Sequence, residues 1–199
     1  MSFRFRLGGC GVELGVSCFI LVAFACLFMG DRAPAMLLCV LCHEGGHLLA
    51  LAAFGMAPRR AVLSALGCRM VLPPGPGLPW GRAAVVALAG PGANLLCFCA
   101  CWLAGRASGA VGLCSLSLGL LHLLPIQPLD GGLALRRLLE ARLSPGGAER
   151  AGRWVSAGLL APLWVLGFLV LLRTRYNYSL LALALYLMLY LVLGADYAY

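Results

Sequence analysis

An all-α polytopic membrane protein is the fold class this sequence predicts, and three observations predict it. Of its 199 residues, 62% are hydrophobic and 11% charged, where a soluble domain carries about 25% charged residues. Six apolar runs approach the ~20 residues needed to cross hydrocarbon, at roughly 11–30, 34–54, 81–105, 109–128, 154–172 and 178–195. Arginines lie between these runs and favour alternate sides. With the N-terminus in the cytoplasm, Arg4, Arg6, Arg59, Arg60, Arg69, Arg82, Arg136, Arg137, Arg142, Arg150 and Arg153 are inside, and Arg32, Arg106, Arg173 and Arg175 outside. That asymmetry orients a multi-pass protein with both termini in the cytoplasm.

The first run, 11–30, follows Arg4 and Arg6. It is long for a signal peptide cleaved near Ala33-Pro34-Ala35 and reads as a retained span. "LGGC" at 7–10 lacks the apolar stretch that would precede a lipoprotein cleavage box. After the second run comes a Pro- and Gly-rich linker whose centre, Ala61 to Leu72, has short apolar pieces broken by Ser64 and Gly67; these suit a strand pair. In the fourth run Pro125 and Pro128 interrupt the helix just before Asp130. "LALRRLLEARL" sets Leu135, Leu138, Leu139 and Leu143 on one stripe, the pattern of a helix lying on the membrane surface, and "SPGG" at 144–147 stops it. Two further spans complete one domain, 1–199.

Two features suggest functions that the pattern does not support. The net charge of +8 could suit nucleic acid, but the arginines punctuate apolar runs rather than share a face, so no nucleic-acid partner is expected. Ten cysteines could suggest metal or disulfides. Most lie within apolar runs, where Cys behaves as a small hydrophobe. Cys97 and Cys101 of "CFCAC" do share a helical face, and packing is the reading taken for them.

Chemistry concentrates in "CVLCHEGGHLLALAAFG", Cys39 to Gly55. Ionisable side chains within a span are costly and mark function. His43 and His47 are i and i+4, so both rings leave one helical face and can grip one ion, with Glu44 beside it as a base. This is the H-E-x-x-H arrangement of a zinc hydrolase. A third protein ligand is needed, and the chain has seven acidic residues. Glu13 and Asp31 lie in or beside the first run, while Glu140, Glu149 and Asp196 fall in polar stretches or at the end. The second and fourth runs both head inward, which brings Asp130 to the cytoplasmic end near which His47 lies.

"HEGGH" at 43–47, "AGPGANLL" at 89–96 and "LLPIQPLDGG" at 123–132 together resemble the site-2 protease family of intramembrane zinc metalloproteases. The resemblance implies a three-helix catalytic core at about 34–135 and a short membrane-inserted β-hairpin after Gly55 that receives substrate as an added strand. It also implies one Zn²⁺ per chain held by His43, His47 and Asp130, with Glu44 as catalytic base. The expected activity is hydrolysis of a peptide bond in or near a transmembrane segment of a membrane protein, within the bilayer of a bacterial cytoplasmic or forespore-surrounding membrane. The alternative is a non-catalytic relative that binds membrane proteins.

One span before the HExxH helix and two after the core look most like the stage IV sporulation protein FB branch, whose members often carry a CBS domain; neither that nor a PDZ domain is expected here. A sigma-factor precursor, an anti-sigma factor and a signal-peptide remnant all remain open as substrates, and inhibitory membrane partners are compatible with the family. His122 stands where relatives have an Asn thought to position substrate. It could donate the same hydrogen bond, compete for zinc, titrate, or be a satisfied core histidine. Asn94 has two readings, a helix–helix hydrogen bond or a hydrogen bond to the substrate backbone. Cys39 lies one turn before His43 and is read as packing rather than as support for the metal.

Overall fold

The computed structural model describes residues 2–7, 10–64, 67–75 and 77–193. The end of the sixth predicted span, 194–195, and Asp196 lie outside the described residues. In chain order come β1 (Ser2–Leu7), β2 (Cys10–Gly15), α1 (Val16–Met29), a 3₁₀ turn (Gly30–Arg32), α2 (Ala33–Ala53), β3 (Arg60–Ser64) and β4 (Gly67–Val71). Then follow α3 (Trp80–Leu103), α4 (Ala110–Leu123), α5 (Asp130–Glu140), α6 (Pro145–Thr174) and α7 (Ser179–Leu193). Helix dominates, as expected. Among the described residues, three helical segments are long and apolar enough to cross a membrane, Gly30–Ala53, Trp80–Leu103 and Pro145–Thr174, whereas Ala110–Leu123 and Ser179–Val192 are apolar but shorter. Their outward residues include Leu49 at 74% exposure, Leu103 at 80% and Trp154 at 74%. Apolar surface on that scale suits lipid as the solvent.

The expected strand pair is present as β3 and β4, but it belongs to a four-stranded sheet of order β1-β2-β3-β4. β1 pairs antiparallel with β2, β2 parallel with β3, and β3 antiparallel with β4. This corrects the first predicted span: residues 10–15 are strand, and the helix begins only at Val16. The physical reason is a period of two. "SFRFRL" alternates Phe3 and Phe5 with Arg4 and Arg6, and "CGVELG" alternates Val12 and Leu14 with Gly11 and Glu13, the pattern of two-faced strands. The parallel β2–β3 pairing needs a long crossover, which α1 and α2 provide.

Two compact units divide the chain, one holding Met1–Leu78 and Ala89–Gly119, the other Pro79–Leu88 and Leu120–Tyr197. In the first, α2 meets α3 across small residues. A Cβ on Gly46 would collide with the Ala89 carbonyl and the Ala93 side chain, so this close approach depends on glycine. Cys39 is buried, its sulfur 3.2 Å from Ser115 Oγ and donating to the Val111 carbonyl at 3.5 Å, which bears out packing for that thiol.

In the second unit, Ile126, Leu129, Leu160 and Leu187 form a buried cluster. α4 ends at Leu123, ahead of Pro125, so it is shorter than the predicted run to 128. The chain then folds back tightly: Cβ atoms on Gly131 and Gly132 would strike the backbone of Leu123, Ile126 and Gln127. Gln127 N–H donates to Ser156 Oγ at 3.0 Å, tying this turn to α6. α5 starts at Asp130 rather than at the leucine stripe. It buries Gly131, Gly132 and Ala134, while Leu138 and Leu143 are exposed. "SPGG" begins a helix as well as ending one, because Ser144 Oγ accepts from Gly147 N–H at 3.3 Å and Pro145 takes the first turn of α6.

Candidate metal centre

α2 carries the first part of the site, in the first unit. Spaced four apart, His43 and His47 turn their Nε2 atoms to within 3.3 Å of each other, with ring centroids 4.9 Å apart at 80°. Two nitrogens held ~2.05 Å from one zinc at a tetrahedral angle stand ~3.3 Å apart. The donor pair therefore fits the ion in chemistry and in spacing.

Neighbouring residues hold those rings. His43 is 4% exposed and Asn94 of α3 is fully buried, with Asn94 Nδ2 3.2 Å from His43 Nδ1. In this orientation Asn94 Oδ1 is buried without a partner. A half-turn of the amide lets Oδ1 accept the Nδ1 proton, which leaves the Nε2 lone pair for an ion. Of the two readings for Asn94, the structure displays the helix–helix hydrogen bond. Gly90 makes room for His47, since a Cβ there would lie inside the imidazole. This explains "AGPGANLL" locally: glycine beside one ring, asparagine one turn later on the other.

Glu44 lies near β4. Its carboxylate approaches the Cys68 thiol, and burial above all, then that charge, pushes Cys68 up to about 12. Cys68 went unnoticed in the sequence because nothing local links residue 68 to residue 44; only the sheet register does. The face of the sheet that carries Cys68 also carries Val12, Leu14, Ala61, Leu63 and Met70.

In the second unit, His122 Nδ1 is 2.7 Å from Asp130 Oδ2, a distance at which an imidazole N–H donates to a carboxylate. Among the described residues no cysteine joins a group able to hold a metal.

No protein-family model matches the chain. A curated relative, "Putative zinc metalloprotease sll0528" of Synechocystis sp., is 32% identical over 110 residues, which are 50% of this chain and 29% of that protein. The chain thus spans less than a third of the length of the relative it matches. Among solved structures, the site-2 protease from Methanocaldococcus jannaschii aligns over 100% of this chain and 97% of its own, with a TM-score of 0.72 and 18% identity. At that identity what is shared is the fold: the chain is folded as a site-2 protease is.

Proposed function

We propose that this protein is an intramembrane zinc metalloprotease, cleaving a peptide bond in or near a transmembrane segment of a membrane-protein substrate. The observation that carries the reading is the pair of imidazole Nε2 atoms 3.3 Å apart on an apolar helix, with Glu44 next to the first of them. The similarity to the "Putative zinc metalloprotease sll0528" of Synechocystis and the shared fold support it. His43, His47 and Asp130 would hold one Zn²⁺ per chain, the ligand set that the motif resemblance implies. Bound there, zinc would supply Lewis-acid polarisation of a carbonyl and a lowered water pKa.

The chain's own residues do the rest. Glu44 takes a proton from the attacking water and returns it to the leaving amine. His122 donates to Asp130 and orients its carboxylate; Asn94 orients the His43 ring by accepting its Nδ1 proton. A contact with substrate was one of the readings open for each, and this reading assigns both to the ligands instead. A substrate helix must unwind to be cut, and β4, at the end of the sheet, has an edge on which an extended segment can add.

The finer reading is a six-span protein, one domain, in a bacterial cytoplasmic membrane with both termini inside. Its layout supports the stage IV sporulation protein FB branch and a membrane-tethered sigma-factor precursor as substrate. The test compares zinc content and cleavage of a co-expressed membrane substrate. Wild type should hold near one zinc per chain, Asp130→Ala should lose it, and Glu44→Gln should keep it while cleavage falls at least ~100-fold. Unchanged cleavage in Glu44→Gln removes Glu44 as the base. Wild type that takes up no zinc after metal loading favours a non-catalytic, membrane-protein-binding relative.

A further inference from the structure

The two faces of the sheet differ sharply. Directly paired strand residues point to the same side, so the register Arg4↔Glu13, Arg6↔Gly11, Gly11↔Arg60, Glu13↔Val62 and Val62↔Arg69 puts Arg4, Arg6, Arg60 and Arg69 on one face with Glu13. At that face lies a cavity of about 660 Å³ whose lining includes Arg4, Arg6, Arg59, Arg60, Glu13 and Gly11. Four arginines and one carboxylate line it. Glu13 accepts from Arg4 at 3.0 Å and lies 3.6 Å from Arg60, which leaves the cavity strongly positive. Its floor is Gly11, the residue opposite both Arg6 and Arg60, so no side chain fills the space between them.

We propose that this arginine-lined cavity binds a phosphate group, carried by an anionic lipid headgroup or free in solution. Guanidinium forks match phosphate oxygens in pairs. β2 runs directly into the apolar α1 at Val16, so Glu13 stands within three residues of a helix suited to hydrocarbon, at the level of headgroups. The arginines were read as setting topology; the cavity gives them a ligand as well. The inference is independent of the protease reading.

The test uses the full chain purified in detergent, titrated with phosphatidylglycerol, phosphatidylcholine or inorganic phosphate, and read by retained lipid in native mass spectrometry and by thermal shift. Two variants accompany it. Arg6→Gln with Arg60→Gln removes charge. Gly11→Val fills the floor at constant charge; its Cβ would sit 3.6 Å from the Arg59 carbonyl, an ordinary contact, and valine suits a strand. Phosphatidylglycerol retained about tenfold better than phosphatidylcholine, the worth of one charge-assisted hydrogen bond, lost in both variants and undisplaced by phosphate, identifies a lipid site. Stabilisation by inorganic phosphate that both variants lose identifies a site for free phosphate. The proposal falls if both variants bind phosphatidylglycerol and phosphate as wild type does. It falls equally if only the charge variant loses binding, because the attraction would then need no cavity.

Discussion

At the scale of single residues, the site is governed by what stands beside each donor. Asn94 is fully buried against His43 Nδ1, so its amide decides which ring nitrogen keeps the proton. Asn94→Ala should lower zinc affinity about 10–100-fold without loss of helix, read by competition with a chromogenic chelator. Asn94→Asp, which keeps an acceptor, should retain most of it; equal loss in both variants would make the residue's role one of shape. Cys68 behaves differently. A thiol pushed up to about 12 has about a thousandth of the thiolate of one near 9 at pH 8, so its alkylation should be slower by about that factor. Because the raised value favours the protonated folded form, Cys68 contributes stability below pH ~9 that is lost as pH climbs towards 12. Glu44→Gln should restore only part of the reactivity, since burial is the larger cause; full restoration would show the charge to dominate.

At the scale of elements, glycines set how near backbones come. Gly90 leaves the volume that the His47 ring occupies, and Gly46 lets α2 touch α3 at Ala89. Gly90→Ala should therefore displace His47, costing about 1–3 kcal/mol from overpacking together with zinc binding, both measurable in one thermal-shift series with and without the metal. Retained zinc with unchanged stability would mean that the ring has another position. The turn before α5 obeys the same logic: Pro125 ends α4, and Gly131 and Gly132 allow the chain to double back so that Asp130 starts a helix within reach of His122.

At the scale of the whole molecule, the apolar helices and their exposed leucines call for a bilayer, and the arginine asymmetry predicts how the chain is threaded through it. Reporter fusions after Arg59 and Arg142 should be active on the cytoplasmic side, and those after Arg106 and Arg175 on the opposite side; matching signals at Arg59 and Arg106 would break the six-span order. Much of this was legible in the chain, because composition, the i and i+4 histidines, the Pro-broken turn and the strand pair after Gly55 are local signals. The N-terminal strands were legible too, in the alternation of Phe3, Arg4, Phe5 and Arg6, but a neighbouring apolar run outweighed it. The sequence by itself determined a membrane-suited helical chain and the i and i+4 histidine pair within it, since hydropathy and spacing are properties of neighbours. Only the tertiary structure decided that β2 lies parallel to β3, that Asn94 rests on His43, that Cys68 lies beside Glu44 and that four arginines share one cavity. Those facts join residues tens of positions apart, where strand register and helix packing, rather than local propensity, choose the partner.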